Sequence, residues 1–139
     1  MLEKFFKYKV DYNDYIILIK SGNFYEIIDY DSLIFNELFN LKLSKLSNTF
    51  KCGIPHNSIV KYCSKLNELS INYLIINNDK IEDCKRFDNN NYKSYKYDLN
   101  LYKYNLYRVN NINNYLTNNI HKNITDKLDR IEGIINEWR

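Results

Sequence analysis

The side chains able to do chemistry are few. The histidines are His56 and His121, and the cysteines are Cys52, Cys63 and Cys84. Cys52, His56 and Cys63 lie close in sequence, as metal ligands often do. Their spacing is not that of a zinc finger or ribbon, and no fourth ligand stands nearby. Cys63 also falls on the apolar stripe of an expected helix, where a small hydrophobe belongs. The acidic residues Asp29, Asp31, Glu82 and Asp83 lack a metal-binding pattern and read as solvated or capping acids. No nucleophile elbow, phosphate loop or metalloprotease motif occurs. The expectation is a protein with no catalytic residue, no metal and no cofactor, hence not an enzyme.

One local group is unusual: Gly22-Asn23-Phe24-Tyr25-Glu26. An apolar strand runs into a glycine turn, and a ring and a carboxylate follow, two residues apart. In an extended chain Phe24 and Glu26 point to the same face. A ring placed so can wedge between bases or stack on them, while the carboxylate hydrogen-bonds a base edge. The plainer reading of the same residues makes Phe24 core and Glu26 surface.

These residues sit in a chain of 139, enough for one domain with its own core. Hydrophobic residues make up 45 % and aromatics 16 %, which separates the chain from disordered ones. A net charge of +3 excludes a histone-like polycation and permits a local basic face. No apolar run nears the ~20 residues of a bilayer span. Glu3, Lys4 and Lys7 interrupt the N-terminus, so it is no secretory signal. An odd cysteine count without close pairing argues for a reducing compartment. Ala and Gln are absent, while Asn, Lys, Ile and Tyr, whose codons are A/T-rich, abound. The expected host is an AT-rich bacterium, parasite or large DNA virus.

Periodicity places the elements. Residues 2–9 form a short amphipathic helix, and Tyr15 to Ile19 a buried strand ending at Ser21-Gly22. Ile34, Phe35, Leu38 and Leu41 predict a helix from Asp31 to Leu41, capped by Asp31 or Ser32. Two small strands fall between Leu43 and Cys52 with a turn at Ser47-Asn48, and Gly53-Ile54-Pro55 is expected to be irregular. Ile59, Tyr62, Cys63, Leu66 and Leu69 predict a helix with Asn57 as N-cap. Ile71 to Ile76 is a second buried strand, and Asn77 to Asn91 a loop. Tyr92 to Tyr97 and Leu101 to Val109 read as strands of a hairpin. In the tail, Ile124, Leu128, Ile131, Ile135 and Trp138 recur at heptad spacing. The fold class is α/β, a mixed β-sheet flanked by helices with an extra C-terminal helix.

Gly22-Asn23-Phe24-Tyr25-Glu26 resembles the G-D-F-Y-E segment of MutS-family DNA mismatch-repair proteins, in their N-terminal mismatch-recognition domain. Asp14 to Lys20 resembles the strand before that segment, and Gly53-Ile54-Pro55 the family's G-I-P turn. Tyr62 and Leu66 match its Y-x-x-x-L helix. Ile71 to Ile76 and Tyr104 to Val109 resemble later strands, and the order is kept across residues 1–113. Residues 114–139 are a C-terminal helical extension.

The resemblance implies a module that meets mispaired or distorted double-stranded DNA from the minor groove. Phe24 would stack on a mispaired base, Glu26 would bond it, and Tyr25 would pack inward. Lys45 and Lys51 are the candidates for backbone contact. Asn23 replaces an acidic residue of the family pattern, the segment from Lys45 to Gly53 is short, and His56-Asn57 replace Tyr-His. The clamp, lever and ATPase domains do not fit in this chain, and its heptad-like tail is expected of a complete small protein rather than an arbitrary cut. One rival keeps the fold but binds a repair or replication protein instead of DNA, and the low net charge favours it. A divergent nuclease is a distant third. The tail either docks on its own domain or joins a homodimer through the C-terminal helix. The expected location is intracellular, with no membrane: the cytoplasm or nucleoid of a bacterium, or a site of viral DNA replication.

Overall fold

A computed structural model describes residues 1–138. The chain divides into two compact units, Met1–Leu99 and Asn100–Arg139. The first holds the sheet. Its elements are α1 (Leu2–Asp11), β1 (Ile16–Ser21), β2 (Phe24–Ile28), α2 (Tyr30–Phe39), β3 (Ser44–Leu46), β4 (Thr49–Pro55), α3 (Ile59–Glu68), β5 (Tyr73–Asn77), β6 (Lys80–Lys85) and α4 (Tyr92–Tyr97). The sheet order is β3-β4-β2-β1-β5-β6. Among the described residues only β1 and β5 run parallel; the other neighbouring pairs are antiparallel.

The central strands are apolar on both sides because both faces are covered. On one face Phe5 of α1 packs with Ile17, Ile19, Ile28, Leu74 and Ile76, joined by Leu2, Tyr8 and Tyr12. On the other, α2 lies against β2 and β4. Phe35 and Phe39 of α2 meet Tyr62 of α3 in an aromatic cluster. Gly22 takes φ 60° at the first position of the two-residue turn between Ser21 and Phe24. A type II′ hairpin asks for glycine there.

Several elements differ from the sequence expectation. Gly53-Ile54-Pro55 is strand, paired to Phe24, Tyr25 and Glu26. Pro55 is tolerated because β3 reaches only as far as Lys51, which leaves the outer edge of β4 unpaired there. The segment after Asn77 is a hairpin rather than a loop. Asn78 and Asp79, both at positive φ, turn the chain into β6. That strand is exposed throughout, so no alternation of apolar residues announces it. Tyr92 to Tyr97 is helix α4, not strand. Leu101 to Val109 likewise lies in a helix, α5 (Leu101–Asn118). Tyrosine's strand preference is overridden where long-range contacts decide, as with buried Tyr92. Asn100, expected in a hairpin turn, instead caps α5 by accepting from the Lys103 amide at 3.3 Å. Asp29 rather than Asp31 or Ser32 precedes α2, and Ser58 rather than Asn57 precedes α3, neither with a side-chain cap.

The second unit holds α5 and α6 (Thr125–Glu137). Ile124 directly precedes α6, and Arg139, at the end of the expected tail helix, lies outside the described residues. Among the described residues no helix is long and apolar enough to cross a membrane.

Candidate functional site

The hairpin β1–β2 presents the unusual segment at one end of the sheet. Phe24 opens β2 and pairs with Ser21 on one side and Pro55 on the other. Strand alternation places Phe24, Glu26 and Ile28 on the face that α1 covers, and Tyr25 and Ile27 on the other. Tyr25, Ile27 and Ile28 are buried, but Phe24 is 51 % exposed. Gly53, opposite Glu26, lies under that ring: a Cβ there would come within 3.9 Å of Phe24 Cδ1.

Glu26 is not free. Lys51 Nζ lies 3.4 Å from Glu26 Oε2, with the two side chains 32 % and 21 % exposed. The register explains the pair. Lys51 stands opposite Ile28, one step along the same face from Gly53. Lys45 stands opposite Phe50, one residue from Lys51 and therefore on the other face. Its ammonium sits 5.5 Å from the Phe50 ring centroid. The structure thus brings Phe24, Glu26 and Lys51 together and leaves Lys45 apart. His56, a ligand candidate and a departure from the family pattern, belongs to this end of the sheet. At the same rim its amide donates to the Asn23 carbonyl at 2.8 Å, with its ring Nδ1 3.2 Å from that oxygen.

The three members of the imagined metal site part company. Cys52 is buried on β4, where burial pushes its thiol up to about 12. Cys63 is buried on α3, and burial pushes its thiol up to about 11. His56 is exposed at the rim. Among the described residues no group of His, Cys, Asp or Glu is placed to hold a metal ion.

A second charged cluster, which sequence reasoning missed, is internal. Asp31 is fully buried. It accepts from the Tyr92 hydroxyl at 2.6 Å and the Ile17 amide at 3.0 Å, and Lys9 Nζ lies 2.9 Å away. Lys9 also donates to the Tyr15 carbonyl and stands over the Tyr92 ring. Burial pushes the Asp31 carboxyl above its ordinary range, against the opposing pull of Lys9, Tyr92 and the Ile17 amide. Tyr92 is pushed strongly upward by burial and by Asp31, so it remains a donor. This cluster ties α1, α2 and α4 to β1.

A family model described as MutS domain I matches residues 1–109. The chain belongs to the MutS domain I family. A DNA mismatch repair protein MutS of Borreliella afzelii (strain PKo) is 36 % identical over 66 residues, 48 % of this chain and 8 % of that protein. One of Ehrlichia ruminantium (strain Gardel) is 27 % identical over 94 residues, 68 % of this chain and 11 % of that protein. One of Thermosipho melanesiensis (strain DSM 12029 / CIP 104789 / BI429) is 34 % identical over 68 residues, 49 % of this chain and 8 % of that protein. The chain thus matches only about a tenth of the length of these MutS proteins. Its six-stranded mixed sheet with flanking helices is the α/β fold expected of this family.

Proposed function

We propose that this MutS domain I recognises mispaired or distorted duplex DNA, without catalysis and inside the cell, using Phe24 as a wedge and Glu26 as the base contact. One observation carries the reading: a half-exposed ring at the open end of a buried strand, with a carboxylate two residues along the same face. An apolar wedge entering from the minor groove unstacks a base step at a cost of a few kcal/mol. That cost is lowest where pairing is already broken, which is the origin of selectivity. Lys51 plays its part through Glu26. It holds the carboxylate in place and offsets its repulsion from the phosphates. Lys45 is left as the backbone contact from the other face of the edge strand β3.

Binding to a matched duplex and to duplexes with one mismatch or one unpaired base tests the reading. The wild type should prefer the defective duplexes. Phe24→Ala should remove that preference, a loss of roughly 5- to 150-fold for one base stack, and keep weak non-specific binding. The ring is exposed, so the variant should stay folded, which circular dichroism checks. A wild type with no preference defeats the wedge reading and leaves the protein-partner alternative, which the low net charge of +3 favours.

A further inference from the structure

The unit Asn100–Arg139 carries a surface that recognition by Phe24 does not use. Along α5, Tyr102, Leu106, Val109, Asn113 and Leu116 recur at spacings of 4, 3, 4 and 3. Along α6, Leu128, Ile131 and Ile135 continue the same heptad spacing from Ile124. A heptad seam exists to be buried against another helix. Near the connecting turn the two helices meet, where Lys127 Nζ donates to the Tyr115 hydroxyl at 2.7 Å, and Ile124 is buried. Further along, Tyr102, Leu106, Val109 and Ile112 on α5 are exposed, as are Ile134 and Ile135 on α6. Gly133 in the middle of α6 weakens that helix by about 1 kcal/mol relative to alanine, so packing must supply its stability.

Charge indicates what covers the seams. α5 carries Lys103 and Arg108 and no acidic side chain. α6 carries Asp126, Asp129, Glu132 and Glu137 against Lys127 and Arg130. One helix is net cationic and the other net anionic, so the pair is complementary to itself. A two-fold interface repeats every contact, and crossing α5 with the other copy's α6 satisfies both charges twice. Pairing α6 with α6 would set acid against acid. The exposed aliphatic stretch of α5 suits a protein surface rather than phosphates.

We propose that this unit is a self-association module, in which α5 of one copy packs on α6 of a second and reciprocally, giving particles with two sheet units. Sedimentation equilibrium of the full chain should show a monomer–dimer equilibrium from micromolar to several hundred micromolar. Leu106→Asp or Ile135→Asp should each leave a folded monomer, with helicity checked by circular dichroism. Raising sodium chloride from about 0.1 M to about 1 M shortens the screening length from about 10 Å to about 3 Å. The dissociation constant should then rise by about fivefold.

A wild-type monomer throughout overturns the proposal. If Ile135→Asp then lowers the melting temperature, the seam is covered within one chain. A dimer that tightens with salt overturns the α5–α6 crossing in favour of α6–α6 pairing. If Leu106→Asp weakens duplex binding and leaves the sedimentation profile unchanged, α5 is a DNA surface and the proposal also fails. None of these outcomes bears on Phe24.

Discussion

Phe5 and Phe24 belong to the same face of the same sheet and meet opposite fates. Phe5, from α1, is 1 % exposed over Ile17, Ile28 and Leu74, while Phe24 is 51 % exposed at the far end of β2. The difference lies in coverage, not in residue type. α1 closes one stretch of the face, and its Lys9 reaches the buried Asp31 and Tyr92. At the Phe24 end Glu26 stands between Ile19 and Gly53, and Gly53 adds no side chain over the sheet. In the open stretch a glycine lies under the exposed phenylalanine, and Lys51 pairs with the neighbouring carboxylate.

The comparison predicts a large asymmetry in stability. Phe5→Ala should cost about 3–5 kcal/mol, because a buried ring is lost and a cavity remains. Phe24→Ala, the same chemical change, should cost no more than about 0.5 kcal/mol, as surface changes do. Urea unfolding of both variants measures the gap. Equal losses would place Phe24 in the core and end its role as a wedge.

Tyr92→Phe probes the polar part of the covered stretch. It removes a hydrogen bond to a buried carboxylate and should destabilise by about 1.5–3 kcal/mol. A neutral outcome in the same unfolding assay would mean that Lys9 and the Ile17 amide satisfy Asp31 without it.

The smallest effect tests the opposite face, at the edge strand β3. Lys45→Ala should leave stability unchanged and reduce the salt dependence of duplex binding by ~1 in slope, the share of one phosphate. An unchanged slope would remove Lys45 from the DNA surface.

Much of this was legible in the residues themselves. The runs Tyr15 to Ile19 and Ile71 to Ile76 announced β1 and β5, and the stripe from Ile59 announced α3. Gly22 marked a tight turn, and from there strand alternation set Phe24 and Glu26 on one face, while the inward packing of Tyr25 was implied by the family resemblance. These are local facts: side-chain period and backbone steric freedom act within a few residues. The rest waited on partners distant in sequence. β6 has no apolar pattern and exists because β5 offers unpaired backbone groups. Gly53 to Pro55 became strand because β2 lies beside it, and that register set Lys51 against Glu26 and turned Lys45 away. Asp31 reads locally as a cap or a solvated acid. It is buried because Lys9 and Tyr92, the latter 61 residues away, converge on it, and a carboxylate leaves water only where such donors meet it.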